Sequence, residues 1–273
     1  MKQAILFLLL AVAIPGLTAC RKPADPDPGP QTGQFTVQLD HLVDSPSNPL
    51  VLNTNTYKNE HGDNFTVSAL RYYISNVQLV NWDGTVMHDC APNQYFLVDQ
   101  ATPASQLLHF GQVPLGAYTN LSFTLGVDST RVKAGNFTGV LDASYGMYRP
   151  ATQDFVNLRL TGTSTQSPTG QLAFEVAGYR GLNTTLRNVR ITLPIPYSTT
   201  NTAMYIRANN APQVHVAVLV YKFFTGPNAA GPAPFQNPLS FASVYSFNGG
   251  AAAAKMADNI AKGAFYISYY QSN

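Results

Sequence analysis

The sequence predicts an all-β fold, an antiparallel β-sandwich with one short C-terminal helix, and three observations carry that expectation. Apolar residues recur at every second position in short runs, the period of a half-buried strand. Turn residues separate the runs, with 20 Gly and 19 Pro among 273 residues. Glutamate occurs only at Glu60 and Glu175, so i,i+4 charge pairs can support almost no solvated helix.

Lys2 precedes an apolar stretch from Ala4 to Ile14, too short for the roughly 20 residues of a membrane span and typical of a secretory leader. Leu17-Thr18-Ala19-Cys20 follows and looks like a bacterial lipobox, which makes residues 1–19 a lipoprotein signal peptide and Cys20 the lipidated residue. The membrane partner is then reached through the N-terminal lipid. Arg21, not Asp, follows the cysteine, which by resemblance to the enteric sorting rule implies an outer-membrane lipoprotein, periplasmic or surface-facing. Residues 20–33 form a tether: four prolines between Arg21 and Gly33 oppose helix and central strand alike, and at ~3.1 Å per residue the segment reaches about 40 Å.

One domain is expected over residues 34–273. Phe35-Val37-Leu39-His41-Val43 alternate with polar neighbours, which puts His41 on the apolar face of the first strand. Phe65 to Val67, Leu70 to Val80, Tyr95 to Val98 and Tyr118 to Val127 continue the pattern. Phe155 to Leu160, Leu172 to Val176, Val189 to Leu193 and Val214 to Phe224 complete it. Residues 226–250, rich in Gly, Pro and Asn, read as a long loop. Ala251 to Lys262 is the helix, with Met256 and Ile260 four apart and Gly263 to close it, and Ala264 to Tyr270 is the last strand.

Charge narrows function. Only 11% of residues are charged and the formal net charge is +2, with no cationic run beyond Arg21-Lys22, so nucleic acid is excluded as a partner. No G-x-S-x-G, H-E-x-x-H, phosphate-binding or dinucleotide-binding motif is present, and no pair of acids is arranged for glycoside hydrolysis. The expectation is a protein that is not an enzyme. With Cys20 acylated, Cys90 has no partner for an intramolecular disulfide; it is a partly buried thiol, a soft metal ligand or an intermolecular link. His41, His61, His88, His109 and His215 show no local metal spacing, so any site must be assembled by the fold. Met147 adds a soft thioether.

Several stretches in order resemble the MbnP family of bacterial envelope proteins. They are Leu70-Arg71-Tyr72-Tyr73-Ile74-Ser75-Asn76-Val77, Phe96-Leu97-Val98-Asp99, Val113-Pro114-Leu115-Gly116-Ala117-Tyr118, Phe123-Thr124-Leu125-Gly126-Val127-Asp128, Gly139-Val140-Leu141-Asp142 and Gly146-Met147-Tyr148, with Met256-Ala257-Asp258-Asn259 near the end. The resemblance implies a β-sandwich that binds copper through histidines, and a di-haem MauG-like partner that oxidises a tryptophan to kynurenine. On that basis copper is the expected cofactor, with His41, His215 and Met147 as its candidate ligands. The family's Trp-x-Trp stretch is absent: Tyr148 is followed by Arg149-Pro150-Ala151-Thr152-Gln153-Asp154, and Trp82, the single tryptophan, sits in an Asn-Trp-Asp-Gly turn. Kynurenine formation is therefore not expected. The alternative to a copper-binding lipoprotein is a metal-free envelope interaction module for a protein or glycan. Asp128 and Asp142, beside turn glycines, are expected to bind loop amides, and Tyr72 and Tyr73 to face opposite sides of one strand.

Overall fold

Phe35, Val37 and Leu39 are each at most 3% exposed while the residues between them are half exposed, and this two-residue period builds the first strand, β1 (Thr32–Leu42). The computed structural model describes residues 31–81, 83–193, 203–225 and 239–271. The expected signal peptide, Cys20, most of the expected tether, Trp82 and residues 226–238 of the expected loop lie outside the described residues. Thr32 and Gly33, expected at the end of the tether, belong to β1, opposite Pro114 and Val113.

Among the described residues the strands after β1 are, in chain order, β2 (Tyr57–Lys58), β3 (Asn64–Val80), β4 (Val86–Asp89), β5 (Tyr95–Asp99), β6 (Leu107–Pro114), β7 (Gly116–Tyr118), β8 (Asn120–Leu125), β9 (Tyr148–Arg149), β10 (Asp154–Thr163), β11 (Gln171–Ala177), β12 (Arg187–Thr192), β13 (Met204–Ile206), β14 (Gln213–Leu219), β15 (Ser246–Asn248) and β16 (Phe265–Gln271). Two α-helices accompany them, α1 (Ser129–Ala134) and α2 (Gly250–Gly263). One sheet runs β16-β14-β1-β6. The larger runs β12-β8-β3-β10-β11-β15, with β2, β4 and β5 also on β3 and β9 on β10. A small sheet pairs β13 with β7.

The all-β sandwich with a C-terminal helix is thus the observed fold. Most pairings are antiparallel, but β1–β14 and β11–β15 are parallel. Alternation specifies which face of a strand is buried and not the direction of its neighbour, so those pairings had no sequence signal.

The core fills the space between the two main sheets. Phe35, Val37 and Leu39 of β1 and Val214, Val216 and Val218 of β14 share one cluster with Leu70, Tyr72 and Ile74 of β3 and Leu158 and Leu160 of β10. Each such side chain contributes about 1.5–3 kcal/mol on burial. A second cluster covers the opposite face of the larger sheet, where Tyr73, Met147, Phe155, Val156 and Tyr179 meet Val132 of α1. Consecutive Tyr72 and Tyr73 therefore serve different cores, as the strand period requires.

Two irregularities shape β3. Asn76 takes a left-handed φ of 50° where the β3–β8 register shifts, and its Nδ2 donates to Thr124 Oγ1 at 3.2 Å. Gly162 sits at the matching shift against β10, where a Cβ would stand 1.9 Å from the Thr66 carbonyl oxygen, so only glycine lets the two backbones meet. α2 buries Ala253, Met256, Ala257 and Ile260 on one face, and Asn259 Nδ2 donates to the Phe223 carbonyl at 3.1 Å. Arg187 Nε meets the same helix at Asp258 Oδ1, 2.6 Å.

Candidate functional site

His41 is 5% exposed and lies on the inner face of β1 beside Tyr72, whose hydroxyl is 2.9 Å from Nε2. The other ring nitrogen, Nδ1, is buried without a hydrogen bond of ordinary length, and the Gln100 and Gln106 side chains are its longer-range hydrogen-bonding neighbours. Burial lowers the imidazole pKa to about 4, against weaker upward pulls from hydrogen bonds to the Gln100 and Gln106 side chains and from the Asp99 carboxylate. The Tyr72 phenol is pushed well above its usual range by burial, so the pair is neutral at physiological pH.

Beside His41 opens a groove of about 370 Å³, bounded by Asp40, Leu42, Pro46, Pro49, Leu50, Gln100, Gln106 and Ser268. The groove exists because β6 leaves β1 early: Gln38 faces Leu107, and beyond that point β6 no longer follows the edge of β1. The segment between β5 and β6 supplies Gln100 and Gln106 instead. Gln100 Nε2 donates to the Leu50 carbonyl at 2.7 Å, while its Oε1 is buried without a partner. Gln106 Nε2 reaches the Asp99 and Gln100 carbonyls at 3.4 and 3.3 Å. Sequence reasoning found His41 but neither glutamine, which no motif marks.

The three candidate ligands do not come together. His215 stands between Val214 and Val216, both fully buried in the core, so its ring faces the opposite side of the sheet from His41. There Nδ1 meets Asp40 Oδ2 at 2.8 Å and the ring packs edge-on against Tyr269, centroids 5.4 Å apart. Met147 is fully buried in the second cluster, across the larger sheet from His41. His61 Nδ1 contacts Asp63 Oδ1 at 3.1 Å, and His109 is exposed on β6 opposite Thr36. Cys90 is half-buried, its pKa raised to about 12 mainly by burial.

Among the described residues no three His, Cys, Asp or Glu side chains form a group able to hold a metal ion. Copper prefers imidazole, thiolate or thioether donors, and one imidazole nitrogen bordered by amides does not supply them. The described side chains therefore do not fit a resident copper centre.

The stretch that lacks the family's tryptophans has its own structure. Tyr148 packs against Phe137 and Phe155, with centroids 4.9 and 5.2 Å away, and Arg149 clasps Asp154 through Nε and Nη2 at 2.8 and 2.6 Å across the β9–β10 turn. Asp128 caps α1 by accepting from the Thr130 and Arg131 amides at 2.9 and 3.0 Å, and it accepts from the Tyr95 hydroxyl at 2.5 Å. Asp142 accepts from the Ser144 amide at 2.9 Å. Both aspartates bind backbone amides, but at helix starts and not in open loops: Asp128 at α1 and Asp142 at the short 3-10 turn Ala143–Tyr145. Asp128, Arg131, Asn76 and the 139–141 turn line a wider depression of about 990 Å³, but these carboxylate and guanidinium groups are already engaged.

Comparison with known proteins adds family and relatives. The MbnP family profile matches residues 32–242. A solved structure, MbnP from Methylosinus trichosporium, is 12% identical and aligns over 81% of this chain and 82% of its own, with a TM-score of 0.43. None of the curated proteins matches the sequence.

Proposed function

Because the chain belongs to the MbnP family, we propose that it is a lipid-anchored, non-catalytic binding protein of the bacterial cell envelope that works without a resident copper ion. The observation that carries this reading is the setting of His41: one nitrogen is taken by Tyr72, and the other borders glutamine side chains, with no second imidazole, thiolate or thioether among the described residues lining the groove. Leu17-Thr18-Ala19-Cys20 supports the anchor and the Pro-rich residues after it support a tether, at an outer membrane and facing periplasm or surface. Tyr148 and the Arg149–Asp154 clasp occupy the hairpin where family members carry tryptophans, so a di-haem MauG-like oxidase would meet no tryptophan there. The partner proposed instead is one recognised by hydrogen bonds.

Expression with the native leader tests the reading. The chain should fractionate with membranes, Cys20→Ala should release it to the soluble fraction, and metal analysis of the matured protein should find copper far below one ion per chain. Cu(I) titration should give equal, weak uptake by wild type and His41→Ala. Stoichiometric copper that is lost in His41→Ala would replace this reading with that of a copper carrier.

A further inference from the structure

The chain enters the domain at one end of the sandwich. The Gln31 carbonyl accepts from the Leu115 amide at 3.3 Å, and Thr32 faces Pro114. From Pro114 the chain passes through β7 to Asn120, which lies opposite Val80, the last residue of β3. The turn between β3 and β4 therefore stands at the same end as residue 31. So does β13, which pairs with β7 and packs so near β1 that a Cβ on Gly33 would stand 2.7 Å from Ile206 Cγ2.

Apolar side chains are left uncovered there. Consecutive strand residues point to opposite faces, yet Val86 and Met87 of β4 are 52% and 48% exposed, so neither face of that strand is sheltered. Tyr205 of β13 is exposed between buried Met204 and Ile206, and the Arg207 guanidinium lies over its ring, 5.4 Å from the centroid. Arg190 Nη2 donates to the Asn81 carbonyl at 2.5 Å, which sets a second guanidinium beside the turn. The acids of this region, Asp83 and Asp89, accept from the Thr85 and Ala91 amides. Aliphatic and thioether groups beside a tyrosine and arginines suit a bilayer surface, where phenol rings sit at headgroup level and guanidinium groups reach phosphate. The other exposed large apolar residues, Val51, Tyr145, Leu182 and Tyr269, stand one to an element.

The anchor says what covers this end. Residues 21–30 separate Cys20 from Gln31, so a lipid on Cys20 holds residue 31 within roughly 35 Å of the bilayer, at ~3.1 Å per residue. Such confinement corresponds to an effective concentration of about millimolar, at which a small apolar patch suffices. We propose that this end is a membrane-docking face: Val86, Met87 and Tyr205 enter the boundary between headgroups and acyl chains in the leaflet that holds the lipid. The inference rests on the lipid-anchored reading above and gives it an orientation. His41, nine residues along β1 from Thr32, then stands about 30 Å farther out at ~3.3 Å per residue, with its groove turned to the aqueous phase.

The lipidated protein, matured with its native leader, tests the face in phosphatidylethanolamine–phosphatidylglycerol vesicles with and without bromine on the acyl chains. Trp82, the single tryptophan, is bonded between Asn81 and Asp83 and reports on this turn. Its emission should fall by about half in brominated vesicles. The double variant Val86→Asp, Met87→Asp should still float with vesicles, because the lipid holds it, and should lose that quenching. Val51→Asp, next to Leu50 whose amide meets the His41 carbonyl at the far end of β1, should keep it. Both positions are exposed, and melting temperatures near that of wild type would show that the variants fold. Wild type that floats without quenching overturns the docking face and leaves the anchor standing. Quenching that survives in the double variant, or is lost in Val51→Asp, also overturns it. A wild type that does not float overturns the anchor and the docking together.

Discussion

Acid should unfold this protein through His41. The imidazole pKa falls from 6.5 in the unfolded chain to about 4 in the fold, chiefly through burial. Between these values the unfolded state binds a proton that the native state refuses, so stability rises with pH. The contribution is fully present above pH 6.5 and is lost as pH falls through 4. Linkage makes the loss about 2 kcal/mol by pH 5 and about 3 kcal/mol by pH 4, relative to pH 7. The perturbation is His41→Gln, which keeps a polar group near Tyr72 but cannot titrate. Urea unfolding of both proteins at half-unit intervals from pH 7.5 to 4 gives the free energies, with unchanged m-values confirming that the same surface is exposed. Wild type should lose about 2–3 kcal/mol more than the variant across this range. Parallel curves for the two proteins would refute the argument, because they would assign the acid sensitivity to the carboxylates.

Other expectations follow from packing. Gly162→Ala should destabilise the domain by about 3 kcal/mol or more, since the new methyl meets the Thr66 backbone at 1.9 Å, and a thermal melt reads it directly. Asp154→Ala should cost about 3 kcal/mol by stranding the half-buried Arg149, whereas the double change Arg149→Met, Asp154→Leu should cost less than the single one; a double-mutant cycle from chemical denaturation measures the coupling. Cys90, with a thiol pKa pushed up to about 12, should alkylate with iodoacetamide at pH 8 far more slowly in the native protein than in urea, as mass spectrometry will show.

How much of this was legible depended on the range of the interaction. Local periods gave the alternation of β1, the opposite facing of Tyr72 and Tyr73, and a helix placed within one residue of α2 at either end. The alternation Val214-His215-Val216 already turned His215 away from the inward valines, and hence away from His41 once β1 and β14 share a sheet. α1 went unseen because a six-residue helix leaves no measurable period; its one signal was the capping Asp128. β3 read as two runs, and the described strand is continuous from Asn64 to Val80. The groove was the least legible part. Gln100 and Gln106 come from a connection far along the chain, and their role follows from where β6 begins against β1, which no local pattern records.

The parallel pairing of β1 with β14 also orders events in time. Thr36 lies beside Gln213, so the smaller sheet joins the beginning of the domain to nearly its end, while most strands of the larger sheet lie between Tyr57 and Thr192. Contacts of such separation close late and slowly. As the chain emerges, β1 can pair with β6 on one edge, Phe35 against Phe110, but its other edge stays open until β14 has followed. One edge of the first described strand is thus among the last to be paired, and until then it is the stretch that a holding chaperone would need to cover.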